Sequence, residues 1–393
     1  MKAVTWQGKR DVRVETVADP KIQEPTDAIV RVTSSGLCGS DLHLYEVFTM
    51  FMEPGDVLGH EPMGIVEEVG SAVTQIKPGD RVVVPFNISC GHCAMCTQGL
   101  YSQCETTQVK AEGKGAALFG YTKLYGQVPG GQAEYLRVPQ AQFGPIKVPV
   151  GPPDDRFLFL SDVLPTAWQA VVYADVPKGG ALAVFGLGPI GQMCVRVARQ
   201  LGAGRIIAVD NVPERLELAR SWGAEVLDER VHDDVPSVIK EMTDGRGADS
   251  VIDAVGTEAH GDGPKAMMQH MAGMLPGPLS EKMTEKMGID RMAGLLNAID
   301  SVRRGGTLSI VGVYAGAVDP MPMMELFDKQ VQVRMGQANV KRWVPDIMPL
   351  LMDGDPLGAE SFATHHLPLS EAVRGYDMFQ KKQDGAVKVV FQP

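Results

Sequence analysis

A two-part α/β fold is predicted for this chain, a barrel-like β region followed by a doubly wound parallel sheet. Three observations carry that prediction. Residues 1 to about 160 consist of short apolar runs punctuated by Gly and Pro, among them AIVRVTSSG, GIVEEVG, PGDRVVVPF and AEYLRVP, and runs of that length between breakers read as strands. From about Val163 strands alternate with helices: ALAVFG, a helix through QMCVRVARQLGA, IIAVD, a helix through ERLELARSWG, then SVIDAVG and TLSIVGVY. That alternation implies parallel strands joined by right-handed crossovers. After Gly316 mixed segments return and end in GAVKVVF, a last strand suited to closing back on the first region. The expected domains are therefore 1–162 with 317–393, and 163–316.

Composition narrows the class. With 393 residues, 44% hydrophobic and 22% charged, the chain reads as a soluble globular protein of about two domains. A net charge of -11 and a pI near 5.3 argue against a nucleic-acid partner, whose phosphates need clustered Lys and Arg. The start, MKAVTWQGKRDVRVE, carries charges where a signal peptide needs an apolar run, and no stretch of about 18 apolar residues offers a membrane span. A cytoplasmic protein with reduced thiols is the expectation.

Four of the six cysteines, Cys90, Cys93, Cys96 and Cys104, fall within CGHCAMCTQGLYSQC. Two-residue gaps let one turn of backbone present successive sulfurs to one ion, and four thiolates around a tetrahedral centre suit zinc with no position left for substrate. Such a closed site is structural. An iron–sulfur cluster and fortuitous thiols are the alternatives, and a nucleic-acid-binding zinc ribbon uses similar spacing, so the quartet alone names no function. His92 lies between two of these cysteines, but four thiolates already complete the tetrahedron.

GLGPIG, residues Gly186 to Gly191, directly follows the strand ALAVF and directly precedes a helix. Gly186 makes a tight turn, Gly188 lets backbone approach a pyrophosphate, and Gly191 lets helix and strand pack closely. The helix start at Pro189 and Ile190 holds an anion through free N–H groups. Asp210 ends the next strand, where an acidic residue meets ribose hydroxyls; a carboxylate there repels a 2′-phosphate, which favours NAD over NADP. Arg215, one helical turn on, is placed to stack near the adenine or, less in keeping with Asp210, to admit NADP. The structural alternative for Asp210 is a helix cap.

Cys38 in GLCGSDLH and His60 with Glu61 in GHEPMG are weak signals singly, because lone Cys and His residues are more often packed than ligating. Beside a nucleotide turn and a closed zinc site they suggest an open zinc with one position for substrate.

Taken in order, GLCGSDLH, GHEPMGIVEEVG, PGDRVVVPF, the four-cysteine lobe and GLGPIG resemble the zinc-dependent medium-chain alcohol dehydrogenases over nearly the whole chain. SCGHCAMC, PGGQAEYLRVP, LSDVLPTAWQA and the insertion beginning TEAHG are most similar to the formaldehyde dehydrogenase-like branch. The resemblance implies a GroES-like catalytic domain, a Rossmann domain, two zinc ions per chain, NAD and a homo-oligomer, with a tetramer favoured. It implies that Cys38 and His60 ligate a catalytic zinc, with Glu61 an alternate ligand or neighbouring carboxylate, and that Ser40 and His43 relay the substrate proton. Where many relatives supply another Cys, this chain has Asp162, as that branch does. A carboxylate in place of a thiolate leaves the zinc a harder Lewis acid. The simpler roles are a helix cap for Asp162, a salt-bridge partner for Glu61 and a turn for Ser40. The activity implied is alcohol or aldehyde-hydrate oxidation with NAD, the alternative being an NADP-dependent carbonyl reductase or polyol dehydrogenase.

Three features stay outside that scheme. Cys194 reads as a small core residue, and His365 and His366 as structural more than cleft residues. Residues 257–296 carry seven methionines after HGDGPK; this segment reads as a helical excursion packed on the sheet or on a neighbouring subunit, or else as a flap over the cofactor.

Overall fold

A hairpin opens the chain. Strand β1, Lys2–Gly8, pairs antiparallel with β2, Asp11–Thr16, across a turn where Arg10 takes φ 59°. The long strand β3, Ala28–Leu37, leads into helix α1, Gly39–Glu46. Then come β4, Glu61–Val69; β5, Arg81–Val83; β6, Tyr135–Val138; and β7, Ile146–Lys147. A short helix α2, Asp155–Leu158, precedes α3, Val163–Ala174. The computed structural model describes residues 1–256, 293–314 and 321–393.

Six parallel strands follow: β8, Ala181–Phe185; β9, Arg205–Asp210; β10, Glu225–Asp228; β11, Ala248–Asp253; β12, Val302–Ile310; and β13, Gln332–Met335. Their order in the sheet is β10-β9-β8-β11-β12-β13, the doubly wound arrangement with its switch point between β8 and β11. Helices α4, Pro189–Gln200, α5, Pro213–Ser221, α6, Val235–Met242, α7, Ala293–Ser301, and α8, Met323–Lys329, accompany them. Ala183, Phe185, Ile207, Val209, Val251 and Leu308 from the strands share one core with Leu295, Ala298 and Ile299 of α7. Strands covered on both faces need continuous apolar sequence, which is why ALAVF and IIAVD lack alternation.

The last stretch holds α9, Val340–Met352; β14, His365–Pro368; α10, Ala372–Gln380; and β15, Val389–Gln392. β15 pairs antiparallel with β3, Val389 facing Leu37, so GAVKVVF does close onto the first region. The resulting sheet runs β14-β15-β3-β4-β5-β7, with β6 also on β3. One core joins Leu37, Leu44, Tyr45, Tyr376, Phe379 and Phe391; a second joins Val30, Val32, Val66, Val82 and Leu136.

Two compact units result, Met1–Gln169 with Gln337–Pro393, and Ala170–Gly336. The parallel sheet continues past residue 316, because β13 pairs in register with β12, Thr307 beside Gln332. QVRM is short and largely exposed, as an edge strand is, so its sequence lacks an apolar run. Among the described residues no single helix is long and apolar enough to cross a membrane. The methionine-rich stretch falls almost wholly outside the described residues.

Candidate active site

Antiparallel pairing of β3 and β4 sets Gly36 opposite Glu61, so the residues just beyond these positions, Cys38 and His60, emerge side by side. Cys38 is the cap residue of α1, and its N–H donates to Asp41 Oδ2 at 3.0 Å. Asp162 enters from the other direction, immediately before α3. Its Oδ1 accepts from the Thr166 hydroxyl at 2.6 Å, which aims Oδ2 at the other two. Cys38 Sγ lies 3.4 Å and His60 Nε2 3.5 Å from that oxygen.

Those separations have a chemical meaning. Atoms about 2.1 Å from a shared tetrahedral centre stand about 3.4 Å apart. Thiol, imidazole and carboxylate are the donors zinc prefers, and all three side chains are buried. Burial pushes the Cys38 thiol up to about 11, the Asp162 and Glu61 carboxylates adding to it. Burial would lower His60, yet Asp41 and Asp162 hold it well above its ordinary value. Asp162, which burial would raise, is held below the usual carboxylate range by the His60 hydrogen bond.

Ser40 Oγ is 3.1 Å from His60 Nε2, beside the cluster as a proton carrier needs to be. His43 is buried one turn on along α1, edge-on to Phe48 at 5.8 Å. Glu61 also reaches the group, whose ligand atoms all lie within 4.8 Å of one another. Its two oxygens, however, accept from Lys388 Nζ at 2.7 and 2.6 Å, and Lys388 donates again to Leu37 O at 3.0 Å. Burial would lower Lys388; Glu61 and Cys38 raise it instead, so the ammonium stays charged.

The quartet Cys90, Cys93, Cys96 and Cys104 forms a second group, with Sγ separations of 4.0 Å for Cys90–Cys96 and 3.9 Å for Cys93–Cys104. Thiolates about 2.3 Å from zinc stand about 3.8 Å apart, so the four fit one tetrahedral ion. N–H groups of His92 and Cys93 point at Cys90 Sγ, and that of Glu105 at Cys93 Sγ, at 3.3–3.4 Å. Burial would raise Cys93, but the amides of Cys96 and Glu105 bring it down to about 6, the thiolate form metals take. The His92 ring faces the Cys90 carbonyl at 3.0 Å instead. Gly91 permits the close wrap: φ is 81°, and a Cβ would fall 2.4 Å from the Phe143 ring.

The glycine turn sits between β8 and α4. Gly186 has φ 84°, and a Cβ on Gly191 would fall 1.8 Å from Gly186 O. Gly188 is the cap residue with Pro189 first in the helix and Ile190 next, and the nearest atom to a Cβ there is Arg215 Nη1 at 3.9 Å. The backbone of Gly188 is therefore open to a phosphate. Asp210 Oδ2 accepts from Leu187 N at 2.6 Å and Oδ1 from Asn211 and Val212 N at 2.7 and 2.9 Å. It thus braces both the turn and the entry to α5. Arg215 Nη1 is 3.9 Å from Asp210 Oδ2, and its buried Nε has no hydrogen-bond partner among the described residues.

Comparison with known proteins decides the family. Residues 24–149 match the model for an alcohol dehydrogenase GroES-like domain, and 189–270 that for a zinc-binding dehydrogenase. A zinc-type alcohol dehydrogenase-like protein of Bacillus subtilis is 43% identical over 100% of both chains. The chain belongs to the zinc-type alcohol dehydrogenases. A formaldehyde dismutase of Pseudomonas putida is 34% identical over 97% of this chain and 95% of its own. The solved alcohol dehydrogenase of Thermus sp. ATN1 superposes with a TM-score of 0.81 at 36% identity, over 100% of this chain and 99% of the other. The dehydrogenase accordingly combines a GroES-like domain with a Rossmann-type one.

Several residues around the candidate site were not legible in sequence: Asp41, Thr166, Lys388, and the aromatic pair Phe86 and Tyr121, each ring edge-on to His60 at 6.4 Å. Only Asp41 left a signal, at three residues after Cys38 in the same motif. His366 pairs with Asp155 at 2.6 Å and His365 with Thr364 at 3.1 Å, both apart from the cluster, and Cys194 is buried in α4.

Proposed function

We propose that this dehydrogenase oxidises a small alcohol or an aldehyde hydrate with NAD, using zinc held by Cys38, His60 and Asp162, with a second zinc in the four-cysteine lobe. The observation that carries the reading is the convergence of three unlike donors at 3.4–3.5 Å with a serine hydroxyl beside them. When bound, zinc would supply Lewis acidity toward a substrate hydroxyl and NAD would supply the hydride acceptor. The chain's own residues do the rest. Cys38, His60 and Asp162 would hold the metal, Ser40 would take the substrate proton at Oγ, and His43 would hand it on. Phe86 and Tyr121 flank His60 and exclude water. Glu61, held by Lys388, stays a neighbouring carboxylate and serves as an alternate ligand only when released.

A hydrated aldehyde is a geminal diol and enters as an alcohol, which suits the similarity to the Pseudomonas formaldehyde dismutase. In the turn, Gly186, Gly188 and Gly191 would cradle the pyrophosphate, with Asp210 on the ribose. A second reading, an NADP-dependent carbonyl reductase or polyol dehydrogenase, has Arg215 in its favour, whose guanidinium lies beside Asp210. The subunits are proposed to form a tetramer, and the cytoplasm is proposed as its place, in keeping with six cysteines that form no disulfide.

Metal analysis with titration of NAD and NADP, followed by a substrate screen including formaldehyde and polyols, tests this reading. Two zinc ions per chain and tighter NAD binding support it. A single ion confined to the cysteine quartet would overturn the catalytic assignment.

A further inference from the structure

Behind His60 runs a buried line of side chains that ends more than three hundred residues away in sequence. His60 Nδ1 lies 3.1 Å from Asp41 Oδ1 as an ion-pair contact, and neither atom has a hydrogen-bond partner among the described residues. Asp41 Oδ2 accepts from Cys38 N at 3.0 Å and from Gln132 Nε2 at 3.3 Å. Gln132 Oε1 in turn accepts from the Tyr376 hydroxyl at 2.8 Å. Asp41, Gln132 and Tyr376 are each 0% exposed, so the line is shielded from bulk solvent.

We propose that Gln132 and Tyr376 are positioning residues for the metal, acting through Asp41 on both Cys38 and His60. The inference rests on the reading of Cys38, His60 and Asp162 as a metal centre. An imidazole that ligates through Nε2 carries its proton on Nδ1 and needs a carboxylate there to set the ring plane. Asp41 supplies it. The same carboxylate also grips the backbone of Cys38, so its orientation governs two ligands at once.

A carboxylate facing His60 Nδ1 and accepting from Cys38 N and the Gln132 amide is only as fixed as those contacts. The Gln132 amide is the one donor that belongs to neither ligand. An amide can present either end, and its carbonyl turned towards Asp41 would set two acceptors face to face. The Tyr376 hydroxyl, donating to Oε1, ties down that end and leaves Nε2 facing Asp41. Tyr376 itself is held by ring contacts to Tyr45 at 5.5 Å and Phe391 at 6.4 Å.

Backbone packing places Gln132 within reach. Its N–H donates to Leu58 O at 2.9 Å, and Gly131 N donates to Gly59 O at 2.8 Å, which seats PGGQ against the residues just before His60. Gly59 has φ 99°, and a Cβ there would fall 2.4 Å from Gln132 Cγ. The glycine is required for the amide to approach.

The test uses the full chain loaded with zinc, and separately with cobalt(II), and follows metal loss to a colorimetric chelator. Tyr376→Phe removes only the hydroxyl and keeps the ring contacts. It is expected to speed loss from the Cys38 site by about tenfold, the lower end for outer-shell changes, and to shift that site's cobalt absorption. Loss from the cysteine quartet stays at the wild-type rate. Gln132→Met is expected to do the same or more. In an Asp41→Asn background Tyr376→Phe should add nothing, because the link it acts through is already broken.

Unchanged loss from the Cys38 site in Tyr376→Phe overturns the inference. So does equal acceleration at both sites with a lowered Tm, which marks a general structural role. If the wild-type chain holds an ion in the cysteine quartet only, the metal reading itself fails, and the inference with it; an ion at the Cys38 site with an unaffected variant sinks the inference alone.

Discussion

Lys388 Nζ bridges both carboxylate oxygens of Glu61 at 2.6 and 2.7 Å, and neither side chain is exposed at all. A charge pair in such a place contributes little net stability but is costly to break from one side. Lys388→Met should therefore destabilise the chain by about 3–5 kcal/mol in urea unfolding, by stranding a buried carboxylate. Lys388→Met with Glu61→Met should recover most of that loss. A single variant as stable as wild type would show that the pair is not buried in solution.

The two cysteine groups should separate by phenotype. Cys38→Ser should abolish turnover while the Tm stays within a few degrees, and bound zinc should fall by one ion per chain. Cys93→Ser should chiefly lower the Tm, because a closed site contributes directly to folding. Retained turnover in Cys38→Ser would remove Cys38 from the catalytic centre.

Gly191 has no room for a methyl group, since its Cβ would fall 1.8 Å from Gly186 O. Gly191→Ala is expected to cost about 1–3 kcal/mol by overpacking and to weaken NAD binding at least tenfold in calorimetric titration. Gly188→Ala, with only Arg215 nearby, should fold normally and lose nucleotide binding alone.

Lys341 sits over the Phe143 ring at 4.3 Å and donates to the Phe143 and Pro145 carbonyls. Those contacts favour the ammonium, but burial outweighs them and brings the group down to about 8. An unfolded lysine titrates near 10.4. Between those values the unfolded chain binds more protons, so stability should rise with pH from about 8 to about 10, on the order of 1–3 kcal/mol. Lys341→Met should flatten that rise in urea unfolding measured across the range. An unchanged slope would show that the carbonyls and ring hold the charge after all.

How much was legible in sequence depended on distance along the chain. CGHCAMC and GLGPIG are local, and their spacing alone dictates which sulfurs and amides converge. Asp162 and Cys38 were legible only as members of motifs, since nothing local tells that β3, β4 and the start of α3 meet. Lys388 could not be read as a partner of Glu61: a lysine in GAVKVVF looks like the solvent side of a strand, yet it is fully buried. Glu61 itself, expected as an alternate ligand, lies within the cluster but with both oxygens engaged. β13 escaped notice because an exposed edge strand has no apolar signature.

The residues alone determined the doubly wound sheet, through the alternation of strands and helices, and the glycine turn and four-thiol lobe, because each of those two follows from backbone rules spanning some fifteen residues or fewer. Tertiary structure decided the centre where Cys38, His60 and Asp162 meet, the clamp of Lys388 on Glu61, and the line from Tyr376 to His60. Those depend on β15 returning to β3 and on glycines letting separate loops touch. No local rule encodes such packing, because its energy comes from burying side chains that are neighbours only once the chain has folded.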